Sequence, residues 1–306
     1  MTILLAGTPH TTVMIANALV DSGHTIVGVL CPFPKPAGRK KIITASKLEM
    51  WAKDRSIRVC NVNKEVLSDN AFVDTLPHAE LLIVADFGYL IPARVLAFCS
   101  LGAYNLHPSL LPRWRGATPV PFTLLFGDVE TGMSIIRMNE KFDMGDVVMQ
   151  ERVLVEPHDT TPILLERCFA AGARMIVTLL PRIAAGTVQP IPQPAQSPAP
   201  ITRKFTKEDG YVPLEALRAA MDGVEFGEVA VKLLDEYALP HTAQYIDQMV
   251  RALTPWPGVW TMKDGKRVKV VETGTTKTNT LEINKILIEG LTSQQTNSFQ
   301  IKKIIS

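Results

Sequence analysis

"TILLAG" (2–7) and "HTIVGVL" (24–30) are short apolar runs, and "TTVMIANALVDSG" between them carries its apolar residues at helical spacing. Strand, helix, strand in that order favours a parallel sheet with helices on its faces. The pattern recurs. "SKLEMWAKDRS" (46–56) reads as helix, "AELLIVADF" (79–87) as a continuous apolar strand, and "LGAYNLH" (101–107) as another. "TGMSIIRM" (131–138) and "DVVMQERVLV" (146–155) predict a later antiparallel pair. "TTPILLERCFAAGARMIVTLLPRIAAG" (160–186) predicts a long helix, broken at Pro181 and stopped by glycine. The expected class is α/β, Rossmann-like, with a mainly parallel sheet.

The next stretch, "VQPIPQPAQSPAP" (188–200), holds five prolines in thirteen residues. Such a segment cannot be helical and favours an extended, semi-rigid connector. With 306 residues the chain has room for two domains. The expected division is a catalytic domain over 1–187, a Pro-rich linker over 188–203 and a C-terminal domain over 204–306. In the last, helices are predicted over 213–222, 226–236 and 242–253. "GVWTMKDGKRVKVVE" follows with an Asp-Gly hairpin signal at 264–265, and "TLEINKILIEG" continues the strand pattern. A smaller β-rich domain, OB-like and abbreviated, is the expectation.

At 46% hydrophobic and 20% charged the composition is that of a globular chain. A net charge of +2 excludes a basic field over the whole molecule, so any nucleic-acid contact must come from local clusters. Cys31, Cys60, Cys99 and Cys168 form no CxxC or CxxH pair, which leaves a zinc or redox motif without support. They read as reduced thiols of a cytoplasmic protein. No signal peptide and no membrane span is expected, nor any metal, and a monomer is the expected state.

An open parallel sheet binds its ligand at the carboxyl ends of its strands. A dinucleotide would ask for G-x-G-x-x-G after the first strand and an acid after the second. Here "AGTPH" holds Gly7 alone, and the second strand ends "VGVLCP". Both requirements fail, and no phosphate-binding G-x-x-x-x-G-K-S/T is present.

"NLHPSLLPRWRG" (105–116) concentrates the chemistry. Asn105 and His107 are two apart, so a strand places them on one face. Together a carboxamide and an imidazole can stabilise a carbonyl oxygen that becomes an oxyanion. Pro108 and Pro112 stiffen the loop between them, whose backbone groups are expected to stay free for a planar heterocycle. "KFDMGD" (141–146) offers Asp143 and Asp146 as proton acceptors around a turn glycine. Singly, each has a plain structural explanation: a histidine after a strand is usually a satisfied core or capping residue, and Asp-x-Gly is usually turn chemistry.

The combination "NLHPSLLPRWRGATPV" with "FDMGD" resembles the folate-dependent formyltransferases. That resemblance implies catalytic roles for Asn105, His107 and Asp143, with Phe142 standing where the family usually has Leu. It implies 10-formyltetrahydrofolate as donor, held by Phe87, Gly88 and Tyr89 at one strand end and by Ser109, Leu110, Leu111 and Pro112. "AGTP" (6–9), "KPAGRKK" (35–41), "FGYLIP" (87–92), "KEDG" (207–210) and "TPWPGVW" (254–260) narrow the likeness to members that formylate the amine of methionyl-initiator tRNA. In those members the loop matching 31–48 enters the acceptor-stem groove. The resemblance therefore implies RNA contact by Lys35, Arg39, Lys40 and Lys41, with Arg113 and Arg115 bordering the site and the C-terminal domain touching tRNA. Lys263, Lys266, Arg267 and Lys269 add a basic cluster around a hairpin. Two alternatives share the site: a formyltransferase acting on an amino-sugar nucleotide, which would need no basic loop, and a formyltetrahydrofolate hydrolase, in which water replaces the amine. A third, from a different class, is a catalytically dead RNA-binding module.

Overall fold

The computed structural model describes residues 1–37, 42–234, 237–290, 301 and 304–305. Arg39, Lys40 and Lys41 lie outside the described residues. The chain forms two compact units. Met1–Ala117, Thr131–Leu154 and Leu165–Ile201 make the first, and Thr118–Glu130, Val155–Leu164 and Thr202–Ser306 the second. The Pro-rich segment up to Ile201 groups with the first unit.

In the first unit β1 (Thr2–Gly7) leads through α1 (His10–Asp21) to β2 (Thr25–Pro32). The short β3 (Lys35–Ala37) and β4 (Ile42–Thr44) pair antiparallel, then α2 (Lys47–Lys53), β5 (Arg58–Val62) and α3 (Lys64–Ser68) follow. Next come β6 (Leu81–Ala85), α4 (Ala93–Leu96) and β7 (Ala103–His107). Beyond α5 (Pro119–Leu125), which falls in the second unit, lie β8 (Glu130–Arg137), β9 (Asp146–Leu154) and α6 (Thr161–Ala184). Seven strands form one sheet in the order β5-β2-β1-β6-β7-β8-β9. The first five are mutually parallel and β8 runs antiparallel to β7.

Burial explains the sequence of the central strands. Every residue of β6 is buried, as is Ile3–Gly7 of β1, because helices cover both faces of a parallel sheet. Helix α1 buries Thr11, Thr12, Ile15, Ala16 and Leu19, one stripe at helical spacing. Gly7 owes its identity to this packing. A Cβ there would overlap Thr12 and the carbonyl of Ala85 on β6. The first βα turn is thus closed against its neighbours, consistent with the missing dinucleotide fingerprint. All four cysteines are free and buried.

Helix α6 runs through Pro181 to Ala184, so the expected break is absent. Proline forfeits one intrahelical bond, and in the last turn little helix remains to be disrupted.

The second unit holds α7 (Leu214–Met221), β10 (Phe226–Leu234), β11 (Tyr237–His241) and α8 (Ala243–Leu253). It ends in a three-stranded antiparallel sheet, β12 (Val259–Lys263), β13 (Lys266–Thr275) and β14 (Leu281–Ile288). β12 and β13 turn at Asp264-Gly265 as expected. Within the stretch 226–236, expected to be helical, Phe226–Leu234 is instead a strand. Its apolar residues fit either period, and pairing with β11 decided the outcome. Among the described residues the β structure of this unit is this sheet, the β10–β11 pair and a parallel bridge between Tyr211 and Trp260, not a closed barrel.

Candidate active site

Asn105 and His107 end β7, whose register sets Val84 beside Asn105 and Ala85 beside Leu106. Both therefore stand at the carboxyl edge of the parallel strands. Asp143 arrives from the β8–β9 connection. Its Oδ1 lies 3.4 Å from Asn105 Nδ2 and 3.6 Å from His107 Nδ1. Its Oδ2 accepts from the Gly116 amide at 3.0 Å. His107 Nε2 stands 3.0 Å from the Trp114 carbonyl. A carbonyl only accepts, so Nε2 carries hydrogen and Nδ1 is the nitrogen turned to the carboxylate. The three residues named from the sequence do converge, and His107 and Asp143 are 5% and 8% exposed.

The surroundings hold unusual backbone. Asp143 (φ 52°) and Trp114 (φ 58°) occupy the left-handed region, at about 1–2 kcal/mol each for a residue with a Cβ. The bonds from Gly116 and His107 hold them there. Gly145 presses on the Arg137 carbonyl so closely that a Cβ would overlap it, which is why this turn needs glycine. Asp146 begins β9 and stays half-buried.

Beside Asn105 and Asp143 a cleft opens, walled by Val84, Phe87, Tyr89, Leu90, Ile91, Ile136, Met138 and Phe142, with Asn139 and Lys141. Phe87 and Tyr89 meet edge to face at 5.6 Å. Of the residues expected to hold folate, Phe87 and Tyr89 line this cleft, with Gly88 between them in the chain. A wider groove of about 890 Å³ adjoins it through Met138, Asn139 and Lys141 and includes Arg137 and Gln193.

The Ser109–Pro112 loop corrects an expectation. Its backbone is not free. Ser134 Oγ donates to the Ser109 carbonyl (2.6 Å) and accepts from the Leu111 amide (3.1 Å). Gln150 Nε2 donates to the Leu111 carbonyl (2.9 Å), and Ser197 Oγ to that of Pro112 (2.7 Å). Ser109 and Leu111 are buried, Leu110 and Pro112 partly so, and none of the four lines the cleft. Ser134 and Gln150 hold this loop, and no local motif announces either.

Arg115 is also corrected. It is 4% exposed, and its nitrogens bond Gln193 Oε1 and the Pro194 and Ala195 carbonyls at 2.7–3.2 Å. Its guanidinium is committed to bonds inside the protein. Arg113 lies over the Trp114 ring at 4.3 Å, and Lys35 is exposed on β3. Among the described residues no group of three or more His, Cys, Asp or Glu is placed to hold a metal ion. None of the described helices is long and apolar enough to cross a membrane.

Residues 1–180 match the formyl transferase family and residues 239–302 its C-terminal domain. The chain belongs to the formyl transferase family. Among its relatives is a methionyl-tRNA formyltransferase of Paramagnetospirillum magneticum, 34% identical over 281 residues, 90% of this chain and 82% of the relative. Another, from Chloroflexus aurantiacus, is 33% identical over 274 residues, 89% and 79% of the two chains. A 4-N formyltransferase structure from Francisella tularensis superposes with a TM-score of 0.60 at 14% identity, covering 86% and 93%. An N-formyltransferase from Helicobacter canadensis, solved with folinic acid and dTDP-3-aminofucose, gives 0.58 at 14%, covering 90% and 87%. At such identity the two structures speak for the fold alone.

Proposed function

We propose that this family member transfers the formyl group of 10-formyltetrahydrofolate to the amine of methionyl-initiator tRNA. The observation that carries the chemistry is the meeting of Asn105, His107 and Asp143 beside an aromatic-walled cleft. Relatives a third identical over nine-tenths of the chain support the acceptor.

In this reading Phe87, Gly88 and Tyr89 hold the pterin in the cleft. The amine attacks the formyl carbon, a C–N bond forms, and the carbonyl oxygen becomes an oxyanion. Asn105 keeps a second amide hydrogen for that oxygen, since the first is directed to Asp143. The imidazole of His107 joins it in stabilising the charge. Asp143 takes the amine proton, directly or through water. Collapse breaks the bond to folate N10, which leaves with a proton. Lys35, Arg39, Lys40 and Lys41 contact the acceptor stem, with Arg113 at the border of the site. Lys263, Lys266, Arg267 and Lys269 add phosphate contacts from the C-terminal unit.

The test offers formyl-labelled folate with charged initiator tRNA, with an amino-sugar nucleotide, or with water alone. Label is expected on the tRNA only. Transfer to the sugar, or release as formate at a comparable rate, would overturn the acceptor assigned here.

A further inference from the structure

Among the attachments of the Pro-rich segment to the site, the side chain of Gln193 reaches both Arg115 and the 143–145 turn. Ile191 exchanges two backbone hydrogen bonds with Val147 at the start of β9, at 2.8 and 2.9 Å. That seats Gln193 between two groups. Its Oε1 accepts from Arg115 Nε and Nη2 at 3.1 and 2.9 Å. Its Nε2 donates to the Asp143 carbonyl at 3.0 Å and to the Gly145 carbonyl at 2.6 Å. All four hydrogen-bonding positions of one amide are used, two on each side. Arg115 is followed by Gly116, whose amide holds the carboxylate of Asp143. Gln193 therefore grips both ends of one clamp: the backbone beneath Asp143, and the guanidinium next to the amide that orients it.

We infer that Gln193 is a positioning residue for the Asp143 carboxylate, acting through the turn at 143–145 and through Arg115. The inference rests on the formyl-transfer reading for its consequence in turnover, though not for its geometry. Asp143 holds a left-handed backbone, so its turn relaxes unless something outside it opposes relaxation. Gln193 supplies that opposition with two donated bonds. Arg115 keeps the Pro194 and Ala195 carbonyls without it, so loss of Gln193 does not leave a bare buried cation.

The substitution that separates positioning from plain stability is Gln193→Glu. It keeps the size and gives Arg115 a stronger acceptor, but turns lone pairs toward the carbonyls of Asp143 and Gly145. Gln193→Ala removes both sets of bonds. Gln189→Ala, at an exposed position of the same segment, is the control. Each chain is assayed for kcat and for KM of formylfolate and charged initiator tRNA. The Gly116 amide is followed by NMR on glycine-labelled protein. The Glu and Ala variants are expected to lose about tenfold in kcat with both KM values within twofold. Their Gly116 amide proton should move upfield as its bond to Asp143 weakens, and the control should match the wild type. A Glu variant within twofold of wild-type kcat, or an unmoved Gly116 signal, overturns the inference. A wild type inactive on charged tRNA whose Gly116 signal still responds to Gln193 overturns the proposed acceptor and supports the positioning.

Discussion

Two buried aspartates in turns, one in each unit, are treated in opposite ways. Asp209, 6% exposed, receives a full counter-charge: both Arg203 terminal nitrogens bond its oxygens at 2.7 Å, and the Thr206 amide adds a bond at 2.6 Å. Burial works to raise its pKa, but the guanidinium and Thr206 outweigh that and hold it below the ordinary carboxylate value. Asp143, 8% exposed, has one backbone donor at 3.0 Å, with Asn105 and His107 at 3.4 and 3.6 Å. A carboxylate saturated by a guanidinium is fixed in place and has nothing left to offer. One held by a single backbone amide, with only a long bond from a carboxamide at 3.4 Å and an imidazole at 3.6 Å, keeps room to take other partners. Under the proposed function, this difference fits Asp143 as the reacting carboxylate and Asp209 as a structural one.

Asp143→Asn should break the comparison from the reactive side. The amide retains an acceptor for Gly116 but removes the proton-accepting charge, so turnover should fall by roughly 10³ or more while the melting temperature stays put. Single-turnover formyl transfer and a thermal melt check both. Asn105→Ala and His107→Ala come next, each expected to cost about 10²–10³ in turnover with folate affinity little changed. Either variant keeping a third of normal turnover would remove that residue from the oxyanion site.

Asp209→Asn attacks the structural side. It should lower stability by about 2 kcal/mol, less than a fully buried pair would lose because Arg203 is partly exposed. In melting temperature that is roughly 4–8 °C, and turnover at 25 °C should be unaffected. A variant with intact stability and poor turnover would reverse the two assignments. The pH dependence has a definite sign. Because Asp209 titrates lower when folded, its contribution is complete above its unfolded pKa near 4 and is lost as pH falls through the folded value. Melting in acid should therefore drop more steeply for the wild type than for Asp209→Asn. The smallest effect is expected from an exposed charge. Lys266→Ala on the basic hairpin should raise the KM for tRNA about twofold and lessen its salt slope by about 0.9 or somewhat less.

How far the chain could be read in advance varies by residue. The parallel strands, α1 and the Asp-Gly hairpin are stated by local pattern, because periodicity and turn chemistry act within a few residues. The shared face of residues 105 and 107 was legible too, since two-residue spacing on a strand is itself geometry, whereas Asp143 was singled out over Asp146 only by the family resemblance. The strand at 226–234 was not, because its partner rather than its own apolar spacing chose its form. Nor was the fate of Arg115: a guanidinium beside a site reads as phosphate-binding until the carbonyls of residues nearly eighty positions on are known. The amino-acid order alone determined the α/β sheet, the edge that carries Asn105 and His107, and the residue types of the site. Only the tertiary structure decided which polar groups remain to be used. Ser134, Gln150, Gln193 and Ser197 satisfy the loop and the turn from a distance, and a buried donor or acceptor takes whichever partner the fold brings within about 3 Å.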